Sequence, residues 1–138
     1  LDFIIIDMPP GTGDTQLTFS QEIKIDGAII ISTPQEVALL DVIRGIKMFD
    51  KLEVKILGLV DNMSFFTGDD GKKYKIFGEG GVKKTAKEFQ KEFLGEIPIN
   101  SKIGRYGDEG KPIVESDDNH EVSKIYLNFA NNIKSTYL

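Results

Sequence analysis

The chain has 138 residues, of which 40% are hydrophobic and 28% are charged, and its net charge is −5. This length allows one hydrophobic core of modest size, so a single domain is expected. Lysines are interspersed among the acidic residues, which argues against binding of nucleic acid, and no apolar run approaches the roughly 18 residues of a membrane-spanning helix.

The available side chains narrow the metal and redox chemistry that the chain can perform. There is no cysteine and a single histidine, His120, so the chain has no disulfide, no thiolate metal site and no cysteine nucleophile. Residues 1–6 lack the basic start of a signal peptide. These features favour a cytoplasmic protein that binds neither nucleic acid nor a membrane.

The first sixty residues alternate between continuous apolar runs and amphipathic stretches. Three runs, at 2–6, 27–32 and 55–60, are apolar on both faces, which is typical of strands buried within a parallel sheet. A short helix is expected at 15–23 and a longer one at 35–52. Apolar residues recur at helical spacing in the longer one: Leu39, Val42, Ile43, Ile46 and Phe49. This order predicts an α/β fold with a mostly parallel sheet and helices on both faces.

Shorter elements follow the third predicted strand. The pair Asp70 and Gly71 predicts the turn of a hairpin, and a helix over 82–93 and a fourth strand over 93–98 are expected after it. No internal repeat or low-complexity segment interrupts the chain. We therefore expect one domain over 1–138.

The end of the chain combines a glycine-rich stretch with a strongly amphipathic one. The stretch 101–114 predicts a surface loop with little regular structure. The last helix is expected to begin at an N-cap formed by Asp118 or Asn119. Its apolar stripe consists of Val122, Ile125, Tyr126, Phe129, Ala130, Ile133 and Tyr137.

Polar or turn-forming segments follow each of the first three predicted strands, at 7–14, 32–36 and 61–64. In a parallel sheet the carboxyl ends of the strands meet at one edge, and ligands bind beyond that edge. We therefore expect these three segments to cluster and to form the site of the protein.

The first of these segments opens with Asp7, directly after an apolar run. An acid in this position can hold Mg²⁺ directly or through water, and Gly11 and Gly13 would let the loop approach a ligand closely. The same pattern fits an aspartate that merely caps the next helix or turn. The residues alone leave both interpretations open.

Six segments between residues 3 and 114, taken in order, resemble the Mrp/ApbC family of P-loop ATPases, a branch of the MinD/ParA-like class associated with iron–sulfur cluster carriage. The segments are IIIDMPPGTGDTQLT, STPQEVALLDVIRGIKMF, GLVDNMSFF, IFGEGG, FLGEIPI and GKPIV. The resemblance fades in the last helix. It implies the C-terminal part of the MinD-like fold of P-loop NTPases.

The resemblance assigns roles to the first segment. Asp7 corresponds to the Walker-B-like aspartate near Mg²⁺, which it holds through water. The loop after it responds to the γ-phosphate, and this match makes Pro9, Gly11 and Gly13 nucleotide-binding residues.

The resemblance also assigns residues to the adenine base. Asn62 corresponds to the asparagine that faces adenine, and Pro98 lies in the segment that borders the base. Asp61 stands where the family usually has glutamate. The residues alone also fit another interpretation, in which Asn62 ends a strand and begins a turn.

Family members carry their phosphate loop well before the segment that matches residue 7. Its backbone amides and lysine hold the phosphates, and its serine or threonine binds Mg²⁺. The chain is therefore expected to be the C-terminal portion of a P-loop ATPase domain that lacks the Walker A strand and loop. In isolation it is not expected to hydrolyse ATP.

One stretch, EGGVKKT at 79–85, looks like the family's phosphate loop. We interpret it as unrelated to phosphate binding, because the family has its own IFGEGG segment at this place. Glu79 would repel phosphate, and Lys83 places a bulky side chain where the backbone must come close to the ligand.

Many family members hold a bridging iron–sulfur cluster with a Cys-x-x-Cys pair at a dimer interface. The corresponding interval here is FFTGDDGKKYK. Its Asp69, Asp70 and Tyr74 are hard oxygen donors that suit an iron–sulfur cluster poorly, and an exposed hairpin tip explains them better. Thiolate ligation of a cluster by this chain is therefore not expected.

The predicted function is that of the C-terminal part of an ATP-binding Mrp/ApbC-like ATPase in iron–sulfur cluster assembly or transfer. Its partners would be a second copy or an N-terminal half, together with iron–sulfur client proteins. One alternative is a non-enzymatic interaction module or split subunit, since an incomplete sheet has an open edge. Another is a ParA/MinD-like partitioning ATPase, although no basic patch or membrane-targeting helix is apparent.

Overall fold

The computed structural model describes residues 1–9 and 13–137, which form an alternating series of helices and strands. The chain order places one helix before the first strand and three after the last. The elements are α1 (Asp14–Glu22), β1 (Ala28–Ser32), α2 (Glu36–Lys51), β2 (Ile56–Thr67), β3 (Lys73–Tyr74), α3 (Gly81–Glu88), β4 (Phe93–Ile99), α4 (Ser101–Asp108), α5 (Ile113–Ser116) and α6 (Glu121–Tyr137).

The long strand β2 organises the sheet. It pairs in parallel with β1 and with β4, and its far end pairs antiparallel with β3. The row Ile31, Val60 and Gly95 crosses the three parallel strands. The predicted α/β class with a mostly parallel sheet is confirmed.

The two faces of the sheet are covered by different helices. On one face, side chains of α2 and α3 pack on Leu59; the buried cluster there is Val42, Ile46, Leu59, Val82 and Ala86. On the other face, Phe129 of α6 lies against Gly95, where an added Cβ would come within 3.0 Å of the phenyl ring. The apolar spacing of α2 thus explains its buried face, and Gly95 allows α6 to approach closely.

The prediction of a buried strand at 2–6 is wrong. Residues 1–9 have no regular secondary structure, and Ile4 and Ile5 are 74% and 83% exposed. An apolar run records a tendency to be buried, but a strand forms only where a neighbouring strand can pair with its backbone. None of the described strands pairs with this segment.

The prediction of an irregular loop at 101–114 is also wrong, because α4 and α5 lie there. Asn100 caps α4, and its Oδ1 accepts a hydrogen bond from the Lys102 N–H at 2.9 Å. Lys102 Nζ in turn contacts Asp117 Oδ2 at 2.9 Å. The cap and this contact offset the helix-weakening effect of the glycines, which the composition alone overstated.

The N-cap of α6 also differs from the prediction. His120, rather than Asp118 or Asn119, caps the helix: its Nδ1 accepts from the Val122 N–H at 3.2 Å. Its carbonyl accepts from the Lys124 N–H at 3.1 Å. Asp118 is engaged by its neighbour Asn119 instead.

Two further elements, α3 and β2, end at other residues than the sequence predicted. The helix expected over 82–93 ends at Glu88, because Gln90 has a φ of +54°, and β2 runs past the predicted end at residue 60 to Thr67. The hairpin turn is present, with Gly71 at a φ of +75°. Within residues 1–9 and 13–137, no helix is both long and apolar enough to cross a membrane.

Candidate functional site

A cavity of about 470 Å³ runs along β1. The N-terminal segment closes one side, α2 another, and β2 contributes one residue from the sheet. Its lining consists of Met8, Pro9, Gln16, Ile29, Ile30, Ile31, Ser32, Thr33, Ala38, Asp41, Val42, Gly45, Met48, Phe49 and Asn62.

All three segments that were expected to cluster contribute to this cavity. Pro9 comes from the first segment, Ser32 and Thr33 from the second, and Asn62 from the third. The third segment lies inside β2 instead of after it, because β2 continues beyond Asn62. The carboxyl end of β1 therefore meets the middle of β2, and this offset brings Asn62 to the cavity.

The charge of the cavity limits what it can bind. Asp41 is the one charged residue among the described lining residues, and its Oδ1 is 2.9 Å from Arg44 Nη1 on the surface of α2. The remaining polar groups are the uncharged side chains of Gln16, Ser32, Thr33 and Asn62. Such a lining suits a planar group that makes hydrogen bonds, and it offers no cation for phosphate.

Gln16 links the N-terminal segment to the cavity. It lies on the buried face of α1 and is 5% exposed, and its Nε2 donates a hydrogen bond to the Pro9 carbonyl. Its Oε1 has no hydrogen-bond partner among the described residues. Gln16 was not among the site residues predicted from the sequence, although a polar residue in the first turn of the helix after the predicted binding loop is a signal for it.

The remaining predicted residues of the first segment lie around this link. Asp7 is exposed and does not line the cavity. Gly13 is the N-cap residue of α1. Gly11 lies outside the described residues.

Pro98, the second residue predicted to lie near the base, is buried in β4. Its neighbour Ile97 pairs with Asn62 across the sheet. Pro98 itself is not part of the cavity lining. Pro98 therefore follows the residue of β4 that pairs with Asn62. Of the two residues, only Asn62 lines the cavity.

Asp61 is the most deeply buried acid near the site. It is 1% exposed, and its Oδ1 has no hydrogen-bond partner among the described residues. Burial, together with the charge of Glu96 on the adjacent strand, raises its pKa to about 6, although Lys75 opposes this shift. Lys75 Nζ forms an ion pair with Glu96 Oε1 at 3.2 Å and acts on Asp61 only through its charge.

The stretch at 79–85 forms the start of α3. Gly80 has a φ of +67°, and a Cβ on Gly81 would come within 2.8 Å of the Pro34 carbonyl oxygen and 2.7 Å of Leu39. Thr85 Oγ1 donates to the Gly81 carbonyl at 3.0 Å. This stretch is therefore packed against the loop that follows β1.

Asp70 stabilises the hairpin turn through hydrogen bonds within it. The Tyr74 hydroxyl donates to Asp70 Oδ2 at 2.7 Å, and the Lys72 N–H donates to Asp70 Oδ1 at 3.0 Å. These two hydrogen bonds lower the pKa of Asp70. Within the described part of the chain, no group of three or more histidine or acidic side chains is arranged to hold a metal ion.

Comparison with known families assigns the chain. The family model described as "ParA: NUBPL iron-transfer P-loop NTPase" matches residues 1–134. The chain belongs to this ParA family of P-loop NTPases. The family resemblance of the six segments is thereby confirmed.

Two curated relatives of this ParA-family chain are named for iron–sulfur clusters or an iron–sulfur protein. The chain is 48% identical over 134 residues to the "Iron-sulfur protein required for NADH dehydrogenase, mitochondrial" of Arabidopsis thaliana, covering 96% of the chain and 43% of that protein. It is 42% identical over 131 residues to the "Iron-sulfur cluster carrier protein" of Aquifex aeolicus, covering 94% of the chain and 36% of that protein. The chain thus spans about two fifths of the length of these relatives.

Solved structures agree with the ParA-family fold. A nucleotide-binding protein from Archaeoglobus fulgidus in complex with ADP superposes with a TM-score of 0.72 at 41% identity, covering 80% of this chain and 46% of that one. The cell division ATPase MinD of Pyrococcus furiosus superposes with a TM-score of 0.64 at 20% identity, covering 80% and 43%. The MinD likeness supports the fold alone.

The ligands of the ParA family fit this chain unequally. The cavity offers uncharged donors and acceptors that suit a nucleotide base, from Gln16, Ser32, Thr33 and Asn62. Mg²⁺ is commonly bound by one or two carboxylates together with phosphates, so Asp7 could hold it only beside a bound nucleotide. An iron–sulfur cluster does not fit, because the chain has no cysteine.

Proposed function

We propose that this chain supplies the base-binding part of an ATP site in a ParA-family ATPase that takes part in iron–sulfur cluster assembly or transfer. The observation that carries the proposal is the cavity in which Pro9, Ser32, Thr33 and Asn62 come together from three separate segments. The ADP complex of the Archaeoglobus fulgidus protein, at 41% identity, supports a nucleotide as the ligand.

In this proposal different residues contact different parts of the nucleotide. The Asn62 carboxamide bonds to adenine, and Pro98 supports it from β4. The phosphate side of the nucleotide is bound by Pro9, Gly11 and Gly13. Asp7 positions Mg²⁺ through water. The described cavity lining has no cation for phosphate, so other residues must hold the phosphates, and the isolated chain is not competent to hydrolyse ATP.

The iron–sulfur part of the proposal rests on the names of the relatives. If the protein handles clusters, the thiolates must come from outside these 138 residues, which contain no cysteine. A homodimer, or pairing with an N-terminal half, would be the natural assembly. A cytoplasmic location is proposed on the basis of the sequence features alone.

The adenine assignment predicts a specific loss on mutation of Asn62. Replacing Asn62 with alanine removes the hydrogen bonds to the base, and adenosine affinity should fall about tenfold, which corresponds to one or two net hydrogen bonds. Ligand-observed NMR with millimolar adenosine and guanosine would measure this. Guanosine should bind more weakly than adenosine to the unmutated chain.

The matched control is Asn131→Ala on α6, an exposed asparagine outside the cavity lining. It should leave adenosine binding unchanged. Equal adenosine affinity in Asn62→Ala and the unmutated chain, or no adenosine binding by the unmutated chain, would contradict the proposed function.

A second candidate function, an interaction module, is favoured by exposed apolar surface beside β1. β1 pairs only with β2 among the described strands, so its other edge offers free backbone groups. Ile31 on β1 is 61% exposed, and Ile4 and Ile5 are also exposed. Edges and apolar surfaces of this kind promote association with another chain.

This candidate predicts that the chain self-associates and that charge at β1 prevents it. In sedimentation velocity, the unmutated chain should form dimers or larger species, and Ile31→Lys should shift it to monomer. Val37→Lys, at another exposed apolar position on α2, is the control and should have little effect. A clean monomer of the unmutated chain would count against the interaction module.

A further inference from the structure

The pairing of β2 with β4 is irregular beside the cavity. The register runs regularly through Asp61 with Glu96 and Asn62 with Ile97, and it resumes only at Phe66 with Ile99. Three residues of β2, 63–65, therefore face the single residue Pro98. β2 bulges directly after Asn62.

Pro98 explains why the ladder breaks at this point. Proline has no backbone N–H and cannot donate to the neighbouring strand, so it is tolerated in sheets mainly at edges and bulges. The bulge in β2 thus lies opposite the one position of β4 that cannot take part in regular pairing.

The bulge carries an unfavourable backbone conformation. Met63 has a φ of +55°, in the left-handed region that residues other than glycine, asparagine and aspartate rarely adopt. Its side chain is 44% exposed, so burial of the thioether contributes little to holding this conformation. Such a conformation persists only where the surrounding structure holds it.

Ser64 is the residue that can hold it. Ser64 is 1% exposed, and its Oγ donates a hydrogen bond to the Ile97 carbonyl at 3.2 Å. That carbonyl belongs to the residue that precedes Pro98 and pairs with Asn62. The Ser64 hydroxyl thus donates a hydrogen bond across the gap in the ladder, to the residue of β4 that pairs with Asn62.

No such restraint on Asn62 is found among the residues that the structure describes. Asn62 is half-buried at the cavity, and none of the hydrogen bonds recorded within residues 1–9 and 13–137 uses its side-chain amide. Its orientation therefore depends on the backbone, which turns sharply at the next residue.

We propose that Ser64 is a positioning residue: its hydrogen bond to the Ile97 carbonyl, opposite Pro98, locks the left-handed bulge at Met63 and thereby aims the Asn62 carboxamide into the cavity. The proposal deepens the proposed function and rests on it in so far as Asn62 binds the base. The orientation of Asn62 can nevertheless be measured without any ligand.

The test compares two buried serines by NMR. Ser64→Ala removes the hydroxyl beside the bulge. Ser123→Ala removes a similarly buried hydroxyl, which lies 2.6 Å from the Asp117 carbonyl oxygen and 3.1 Å from that of Ile113. The readouts are the side-chain amide signals of Asn62, assigned by their loss in Asn62→Asp, and the affinities for adenosine and guanosine.

We expect Ser64→Ala to shift and broaden the Asn62 amide signals, to lower adenosine affinity about tenfold, and to reduce the preference over guanosine. Ser123→Ala should leave the signals and the base preference unchanged. Adding Met63→Asn to Ser64→Ala should restore much of the Asn62 signal, since asparagine tolerates the left-handed conformation.

Unchanged Asn62 signals in folded Ser64→Ala would overturn the positioning role, even if adenosine binds. Loss of folding in both Ser64→Ala and the double variant would make Ser64 a structural residue only and would overturn it as well. If the unmutated chain binds no adenosine, the proposed function fails, while the Asn62 signals still decide whether Ser64 positions it.

Discussion

Replacing Asp61 with asparagine is expected to stabilise the protein at neutral pH. The folded state holds the pKa of Asp61 at about 6, against an ordinary value of 3.8, so at pH 7 folding must place an ionised carboxylate in a buried site. Asparagine has the same shape without the charge. The free energy of unfolding should rise by up to about 3 kcal/mol at pH 7, the equivalent of the shift in pKa.

The sign of this effect sets its pH dependence. Because the folded state binds the proton more tightly than the unfolded state, the contribution of Asp61 to stability is greatest below pH 3.8 and is lost as the pH rises towards 6. The stability difference between Asp61→Asn and the unmutated chain should therefore be small at pH 4 and complete above pH 6. Urea denaturation across this range measures it.

The groups that face Asp61 define the controls. Glu96 disfavours its ionisation and Lys75 favours it. Lys75→Met should accordingly enlarge the gain from Asp61→Asn. Asp69→Asn at the exposed hairpin tip changes the net charge equally and should give no comparable gain. A stability difference that does not vary with pH would refute this account of Asp61.

Truncation of Ile46 is expected to lower the stability of the protein strongly. Ile46 is fully buried between α2, α3 and the sheet, where it packs in the cluster with Val42, Leu59 and Val82. Ile46→Ala should lower the free energy of unfolding by about 2–5 kcal/mol, because it removes buried methyl groups and leaves a cavity. Domains are typically stable by only about 5–15 kcal/mol, so a large share would be lost.

The matched control is the same substitution on the exposed side of β1. Ile31 is 61% exposed, and Ile31→Ala should change the free energy of unfolding by no more than about 0.5 kcal/mol. Chemical denaturation of both variants, with an unchanged dependence on denaturant, would provide the comparison. Similar losses at Ile46 and Ile31 would mean that the cluster under α2 is not the centre of the core.

The elements that the sequence predicted correctly are those with a strong local signal. The spacing of apolar residues in α2 and the continuous apolar runs of β1 and β2 indicated these elements directly. The expected burial of β1 on both faces is wrong, because β1 is an edge strand of the described sheet and Ile31 is 61% exposed. The failures depend on distant partners. The run at 2–6 has the composition of a strand, but pairing decides whether one forms, and α4 depends on a cap at Asn100 and an ion pair with Asp117.

The candidate site was predictable to the same extent. The rule that ligands bind beyond the carboxyl ends of parallel strands brought Pro9, Ser32 and Asn62 together in advance. The raised pKa of Asp61 was not predictable, because it follows from burial within the folded sheet and from the charge of Glu96 on the adjacent strand. The bulge opposite Pro98 could be expected from the missing N–H, but its left-handed residue could not.

The close contact at Gly81 has a consequence for how phosphate loops arise. The stretch EGGVKKT at 79–85 differs from the family's phosphate loop, KGGVGKT, at only two positions, so Glu79→Lys and Lys83→Gly together would recreate that motif. The site would still be closed, since the space beside Gly81 is filled by the Pro34 carbonyl oxygen and Leu39. Carbonyl oxygens repel phosphate, and a pattern search would therefore report a nucleotide loop in a place where the fold has already used the backbone for packing.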